Sequence, residues 1–188
     1  VARALLASFP SWSAECGKGL AAYERGEYVT ALREWRPLAE QGHAKAQFNL
    51  GVMYADGEGI QQDYGQAAQW YRRAAEQGDA DAQTNLGWMY GTGRGVPQNY
   101  GQAVEWYRLA ADQGYAMAQY NLGVMYGNGR GVVQNYVTAH MWGNIARANG
   151  NDIADKLLDD LEQLMSKDQI ARAQQRASDC MANQYKNC

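Results

Sequence analysis

Set out at a period of 36 residues, the chain aligns with itself: Gly51, Gly87 and Gly123 share a column, flanked by Asn49/Asn85/Asn121, Leu50/Leu86/Leu122, Met53/Met89/Met125 and Tyr54/Tyr90/Tyr126. Residues 46–78 match residues 82–114 at 21 of 33 positions, and those match residues 118–150 at 19 of 33, without a gap. A repeat this regular limits the fold severely, because each unit must be one supersecondary element that buries its apolar face against its neighbours. With 188 residues and 46% hydrophobic content the chain can bury a core, which excludes disorder, and its composition excludes collagen. A net charge of −3 with no Lys/Arg cluster argues against nucleic acid or an anionic membrane surface as partner. No run of apolar residues is long enough to span a bilayer, so no membrane insertion is expected.

Each unit divides at a Gly-rich turn into two segments of helical period. Ala46, Leu50, Met53 and Tyr54 recur at i, i+4, i+7 and i+8, one face of a first helix, called A. After Asp56-Gly57-Glu58-Gly59, the residues Tyr64, Ala67, Trp70, Tyr71 and Ala74 recur at helical spacing in a second helix, B, which Gly78 closes. A glycine inside helix A costs about 1 kcal/mol relative to alanine. Its return at 51, 87 and 123 therefore points to a partner helix too close for a Cβ, with the Trp and Tyr of helix B filling the adjacent space.

The pattern A-x-x-x-L-G-x-x-Y-x-x-G-x-G-V-x-x-x-Y-x-x-A-x-x-W-Y-x-x-A-A-x-x-G resembles the Sel-one-like repeat, a longer relative of the tetratricopeptide repeat, in three copies. The resemblance implies an all-α fold: a right-handed α-α superhelix, or solenoid, of antiparallel hairpins with the A helices on its concave face. It also implies an interaction scaffold. We expect an N-terminal segment at 1–15, a solenoid at 16–150 with hairpins at about 16–42, 44–78, 80–114 and 116–150, and C-terminal capping helices in 151–188. Residues 19–42 keep the frame in Tyr28, Ala31, Ala39 and Gly42 with a shorter turn. Pro37 should kink or end the second helix of that copy. The third copy loses its Trp-Tyr pair where Gly143 replaces the Tyr, and Ser166-Lys167-Asp168-Gln169 reads as a capping box that opens the last helix.

With 46, 50, 53 and 54 on the core face, the opposite stripe of helix A faces the groove. Its members are Lys45/Asp81/Met117, Phe48/Thr84/Tyr120, Asn49/Asn85/Asn121 and Val52/Trp88/Val124. Asparagine is a mediocre helix former whose amide both donates to and accepts from a peptide backbone. The resemblance to tetratricopeptide grooves implies that role for Asn49, Asn85 and Asn121; the alternative is a hydrogen bond to the neighbouring repeat. Phe48, Val52, Trp88 and Tyr120 supply apolar and aromatic anchors.

Stacked helix pairs separate Cys16 from the C-terminal cysteines, so Cys180 is paired with Cys188, a ring worth about 2.6 kcal/mol by loop closure; the alternative is three thiols in a reducing compartment. Residues 1–13 read either as the tail of a secretory signal or as an N-terminal cap. With the cysteine pair, a periplasmic or secreted location is expected ahead of a cytoplasmic one. His43 and His140 read as surface or packing residues, and no cluster has metal-ligand spacing, so neither metal nor cofactor is expected. Gly57-x-Gly59 and its copies at 93–95 and 129–131 lack a preceding strand and a P-loop Lys, and read as turns. The leading expectation is a non-catalytic scaffold for a peptide or protein segment. The alternatives are a cell-envelope regulator that binds glycan or a sensor's outer domain and, less favoured, a penicillin-hydrolysing enzyme such as cysteine-rich relatives, whose per-repeat cysteine pairs these repeats lack.

Overall fold

Helix ends follow directly from the repeat. Asp63, Asn99 and Asn135 each take extended backbone and accept a hydrogen bond from the amide three residues on, at 3.0, 3.0 and 2.9 Å, which starts the second helix of each unit. Gly57, Gly93 and Gly129 close each first helix in the left-handed conformation that a side chain disfavours. In this computed structural model, which describes residues 12–186 and 188 and side chains from residue 16 apart from that of residue 187, the described residues form ten helices and no strand. Expectations for residues 1–11 lie outside the described residues. The helices are α1 (Trp12–Glu24), α2 (Tyr28–Glu40), α3 (Ala44–Asp56), α4 (Tyr64–Glu76) and α5 (Ala80–Thr92). They continue as α6 (Tyr100–Ala111), α7 (Ala116–Asn128), α8 (Tyr136–Ala148), α9 (Ala154–Glu162) and α10 (Lys167–Ala182). Consecutive helices pack as hairpins from α1 to α8, and each hairpin packs on the next. The chain is an all-helical solenoid.

Three recurring contacts hold the stack. The first is the glycine inside each A helix: a Cβ on Gly51 would stand 2.6 Å from the Tyr71 ring, and one on Gly87 2.8 Å from the Tyr107 ring. The second is the Gly-x-Gly turn, whose second glycine abuts the start of the preceding unit's B helix; a Cβ on Gly95 would lie 2.1 Å from the Tyr64 carbonyl oxygen. The third is a column of buried glutamines. Gln47, Gln83 and Gln119 donate to the carbonyls of Ala39, Ala75 and Ala111 at 3.0, 3.0 and 3.1 Å. They accept from Gln77, Gln113 and Asn149 at 2.7, 2.8 and 2.8 Å. Each glutamine thereby ties three consecutive helices and leaves neither side-chain polar atom unpaired, the condition under which burial of an amide is tolerated.

The units at the two ends depart from the pattern. α2 runs through Pro37 to Glu40, in the same register as α4, which ends at Glu76, so the early end expected at this proline does not occur. Pro37 lies within the last turn, and the buried Trp35, Leu38 and Ala39 hold that turn against the core. At the other end Gly143 makes room for α9: a Cβ there would stand 2.9 Å from Leu158, and one on Gly123 2.9 Å from Leu157. The loss of the tyrosine is thus what lets the capping helix seat. The buried His140 ring fixes this join, with Nε2 3.1 Å from Glu162 of α9 and Nδ1 2.7 Å from the Asn144 amide. α10 opens on the Ser166/Gln169 capping box and packs on α8 through Ala177 and Cys180.

Cys180 and Cys188 form a disulfide with Cα atoms 5.3 Å apart, and Cys16 is free. A ring of this length stabilises by about 2.6 kcal/mol. Tyr185, inside the ring, donates to Asn149 at 3.0 Å, so the ring also anchors the end of the glutamine column. Reduction, or Cys180→Ser with Cys188→Ser, should lower the melting temperature by several degrees. Equal melting curves with and without reductant would show that the pair contributes nothing.

Candidate binding groove

Between α3 and α5 opens a cavity of about 390 Å³. Helix A of one unit lines it with Val52, Ala55 and Asp56, the B helix with Tyr64 and Tyr71, and the next A helix with Asn85, Trp88 and Met89; Arg94 of the following turn completes the wall. A second cavity of about 130 Å³ repeats this lining 36 residues later, with Trp88, Gly91, Thr92, Tyr100, Tyr107, Asn121, Val124, Met125 and Arg130. A third, about 510 Å³, keeps Val124, Gly127, Asn128 and Tyr136 of the frame, adds Tyr120 and Gln134, and takes the rest of its wall from α9 and the residues flanking it, including Ile153, Leu157 and Leu164. The cavities form a periodic groove along the A helices.

The sequence-derived stripe divides into three groups. Val52, Asn85, Trp88, Tyr120, Asn121 and Val124 line the cavities. Trp88 is 40% exposed, a large apolar surface in the middle of the groove. Phe48 and Thr84 sit deeper: Phe48 packs on Tyr71 with ring centroids 5.8 Å apart, and the buried Thr84 hydroxyl donates to the Ala80 carbonyl at 2.8 Å. Asn49 is half-buried one unit earlier in the same register. Lys45 and Asp81 meet each other at 3.0 Å, and Asp81 also accepts from the Tyr115 hydroxyl, so this part of the stripe joins three consecutive units. Burial opposes ionisation of Asp81, but the hydrogen bonds from Tyr115 and Lys45 outweigh it and hold the carboxyl below its ordinary range. Asp56, partly buried and close to Glu58, is pushed the other way. The Asn85 side chain hydrogen-bonds the Tyr71 hydroxyl, which uses part of its capacity between units and leaves its other donor and acceptor positions for the cavity.

The lining also includes residues outside the sequence-derived set, among them Tyr64/Tyr100, Tyr71/Tyr107, Arg94/Arg130 and the apolar residues of α9 and its flanks. The tyrosines and arginines do recur at 36 residues, on helix B and the turn, and the assignment of helix B to the core concealed the tyrosines; the residues of α9 and its flanks lie outside the repeat and carry no such signal. Burial raises the hydroxyl pKa of Tyr71 and Tyr107, and burial with the neighbouring Asp81 raises Tyr115 to about 12. A raised folded-state pKa gives stability that is complete below the unfolded tyrosine value near 10 and is lost as pH climbs through the folded value. The melting temperature should therefore be insensitive to these groups up to about pH 10 and fall between about pH 10 and 12. A flat profile to pH 12, measured by circular dichroism, would contradict that burial.

Among the described residues no group of three His, Cys, Asp or Glu side chains stands close enough to hold a metal ion, and no helix is long and apolar enough to cross a membrane. The geometry offers contact surface, hydrogen-bonding amides and guanidinium groups.

Comparison with known proteins bears on the fold that carries this groove. The chain is similar to a Sel1 repeat protein from Oxalobacter formigenes, at 30% identity with TM-score 0.74, covering 88% of this chain and 75% of that one. It is also similar to c5321, a protective antigen present in uropathogenic Escherichia coli strains that displays an SLR fold, at 39% identity and TM-score 0.67, covering 76% of this chain but only 33% of the other. An exopolysaccharide production negative regulator of Rhizobium leguminosarum bv. viciae is 42% identical over 45 residues, which is 24% of this chain and 17% of that protein. The Sel1 repeat family model matches residues 44–79, 80–115 and 116–151, and with these three units covering more than half its length the chain belongs to the Sel1 repeat family.

Proposed function

We propose that the protein is a non-catalytic scaffold that docks an extended peptide or protein segment along the groove formed by its A helices, the concave face of the solenoid. The observation that carries this reading is the periodic lining: the same aromatic, amide and guanidinium positions return in two consecutive cavities. Trp88, shared by both cavities, is the central anchor. An extended chain advances about 3.3 Å per residue and helix layers repeat at about 10 Å, so about three ligand residues would pass each unit. The paired repertoire of Asn85 suits a backbone amide, and Trp88 with Val52 suits an apolar side chain. To test this, the intact chain and its Asn85→Ala/Trp88→Ala variant are immobilised and compared for capture of proteins from an envelope extract. One dominant polypeptide held by the first and lost by the second supports the reading; retention by both overturns it. No hydrolysis of penicillin-type substrates is expected from either.

A second reading, an envelope regulator, draws on the name of the Rhizobium relative and on the disulfide, which suits an oxidising compartment such as the periplasm. Retention of glycan strands instead of a polypeptide in the same capture experiment would favour it.

A further inference from the structure

One turn position carries a charge that inverts along the groove. Glu58, Arg94 and Arg130 occupy equivalent places in successive units, each beside the first tyrosine of the preceding B helix. The Tyr28 hydroxyl donates to Glu58, whereas the guanidinium groups of Arg94 and Arg130 lie 5.5 Å from the ring centroids of Tyr64 and Tyr100. Arg94 also lies 5.1 Å from the Trp88 ring. Two residues earlier only the acidic end recurs, with Asp56 in the first unit and the uncharged Thr92 and Asn128 in the others.

Among the described residues the two arginines have no internal counter-charge, whereas Glu58 has the Tyr23 hydroxyl as a donor besides that of Tyr28. Arg94 and Arg130 are exposed, and neither is among the ion pairs of the described residues. Arg130 is the one charged side chain lining its cavity. At the other end, one Glu58 carboxylate oxygen is buried without a hydrogen-bond partner, and Asp56 faces the first cavity. With Lys45 and Asp81 cancelling each other, a protein of net charge −3 thus presents along its groove turns that are acidic in the first unit and basic in the next two. A guanidinium held beside an aromatic face by its charge still has N–H donors to offer a carboxylate.

We infer that the groove selects a segment by its charge order: a basic side chain at Asp56 and Glu58, then acidic side chains at Arg94 and Arg130, about three residues apart. This rests on the groove being the docking face. The charge order sets the direction of the segment, because reversal would place each ligand charge beside its like.

The probe is a library of linear peptides of about twelve residues, about 40 Å when extended, displayed on phage and selected on the intact chain. Enriched peptides are then synthesised with fluorescein and titrated by anisotropy. Acidic residues at a spacing of about three, with a basic residue to one side, are expected. Arg130→Glu should weaken such peptides by about tenfold or more, and a Lys in place of the matching acidic residue should recover the loss. Arg94→Glu should behave alike one step along the peptide. Both arginines are exposed, and circular dichroism would verify that the variants fold. Peptides that lose binding in Asn85→Ala/Trp88→Ala but are indifferent to both charge reversals would overturn the charge order and leave the groove standing. Peptides indifferent to Asn85→Ala/Trp88→Ala, or no enrichment at all, would overturn the groove and the charge order with it.

Discussion

Leu86→Ala is expected to lower the unfolding free energy by about 2–5 kcal/mol, while Trp88→Ala, two residues on, should leave it within about 1 kcal/mol of the parent. Leu86 is fully buried between α5 and its neighbours, so truncation removes apolar contacts and leaves a void in a close-packed layer. Trp88 shows 40% of its surface to solvent, and its ring faces the groove and Arg94. Truncating it removes binding surface and little core. Asn85→Ala should fall between the two, at about 0.5–1.5 kcal/mol, because it removes the hydrogen bond to Tyr71 across the unit boundary. Urea denaturation of the three variants separates these cases. If Trp88→Ala unfolds as readily as Leu86→Ala, position 88 belongs to the core, and loss of binding there says nothing about a site.

The second large effect concerns two glycines with nearly the same backbone. Gly78 and Gly95 both have positive φ, +92° and +72°, so alanine at either meets the left-handed penalty of about 1–2 kcal/mol. At Gly78 a Cβ would meet nothing within 4 Å, and the cost stops there. At Gly95 the Cβ would stand 2.1 Å from the Tyr64 carbonyl oxygen and 2.9 Å from the end of the Met89 side chain. A carbonyl at the start of a helix cannot swing aside without moving that helix, so Gly95→Ala should add about 1–3 kcal/mol or more for overpacking. It should also loosen the stack between the first and second full repeats. Thermal melts of the two variants, measured together, test the point; equal melting temperatures would mean that the turn does not bear on the preceding unit.

What could be read from the sequence was whatever depends on one unit alone. The period gave the hairpins, the interior glycine gave the close approach of helix B, and Ser166 with Gln169 gave the last helix start, since each is a local requirement repeated or capped in place. What could not be read depends on neighbours being stacked. Gln47, Gln83 and Gln119 look like surface residues by type, and their burial makes sense only once partners 8 and 30 residues away are beside them. Lys45 and Asp81 look like free groove charges until stacking brings them within 3.0 Å. Tyr64 and Tyr71 satisfy a core pattern, yet a helix wedged between two others has a border where core ends and cavity begins, and both tyrosines lie on it. Pro37 reads from sequence as a kink or an early helix end, and the end does not occur because the packing of Trp35 and Leu38 around that turn is not a local property.

The most direct test of a groove on the A helices is to watch its side chains during binding. In 15N-labelled protein, the side-chain amide signals of Asn85 and Asn121 and the indole N–H of Trp88 report from inside the cavities, and the amides of Gln69 and Glu105 report from the exposed surface of the B helices. Titration with a peptide selected on the intact chain should shift the first three signals in proportion to occupancy and leave the last two in place. Saturating binding that moves Gln69 and Glu105 while Asn85, Trp88 and Asn121 stay fixed would contradict the account.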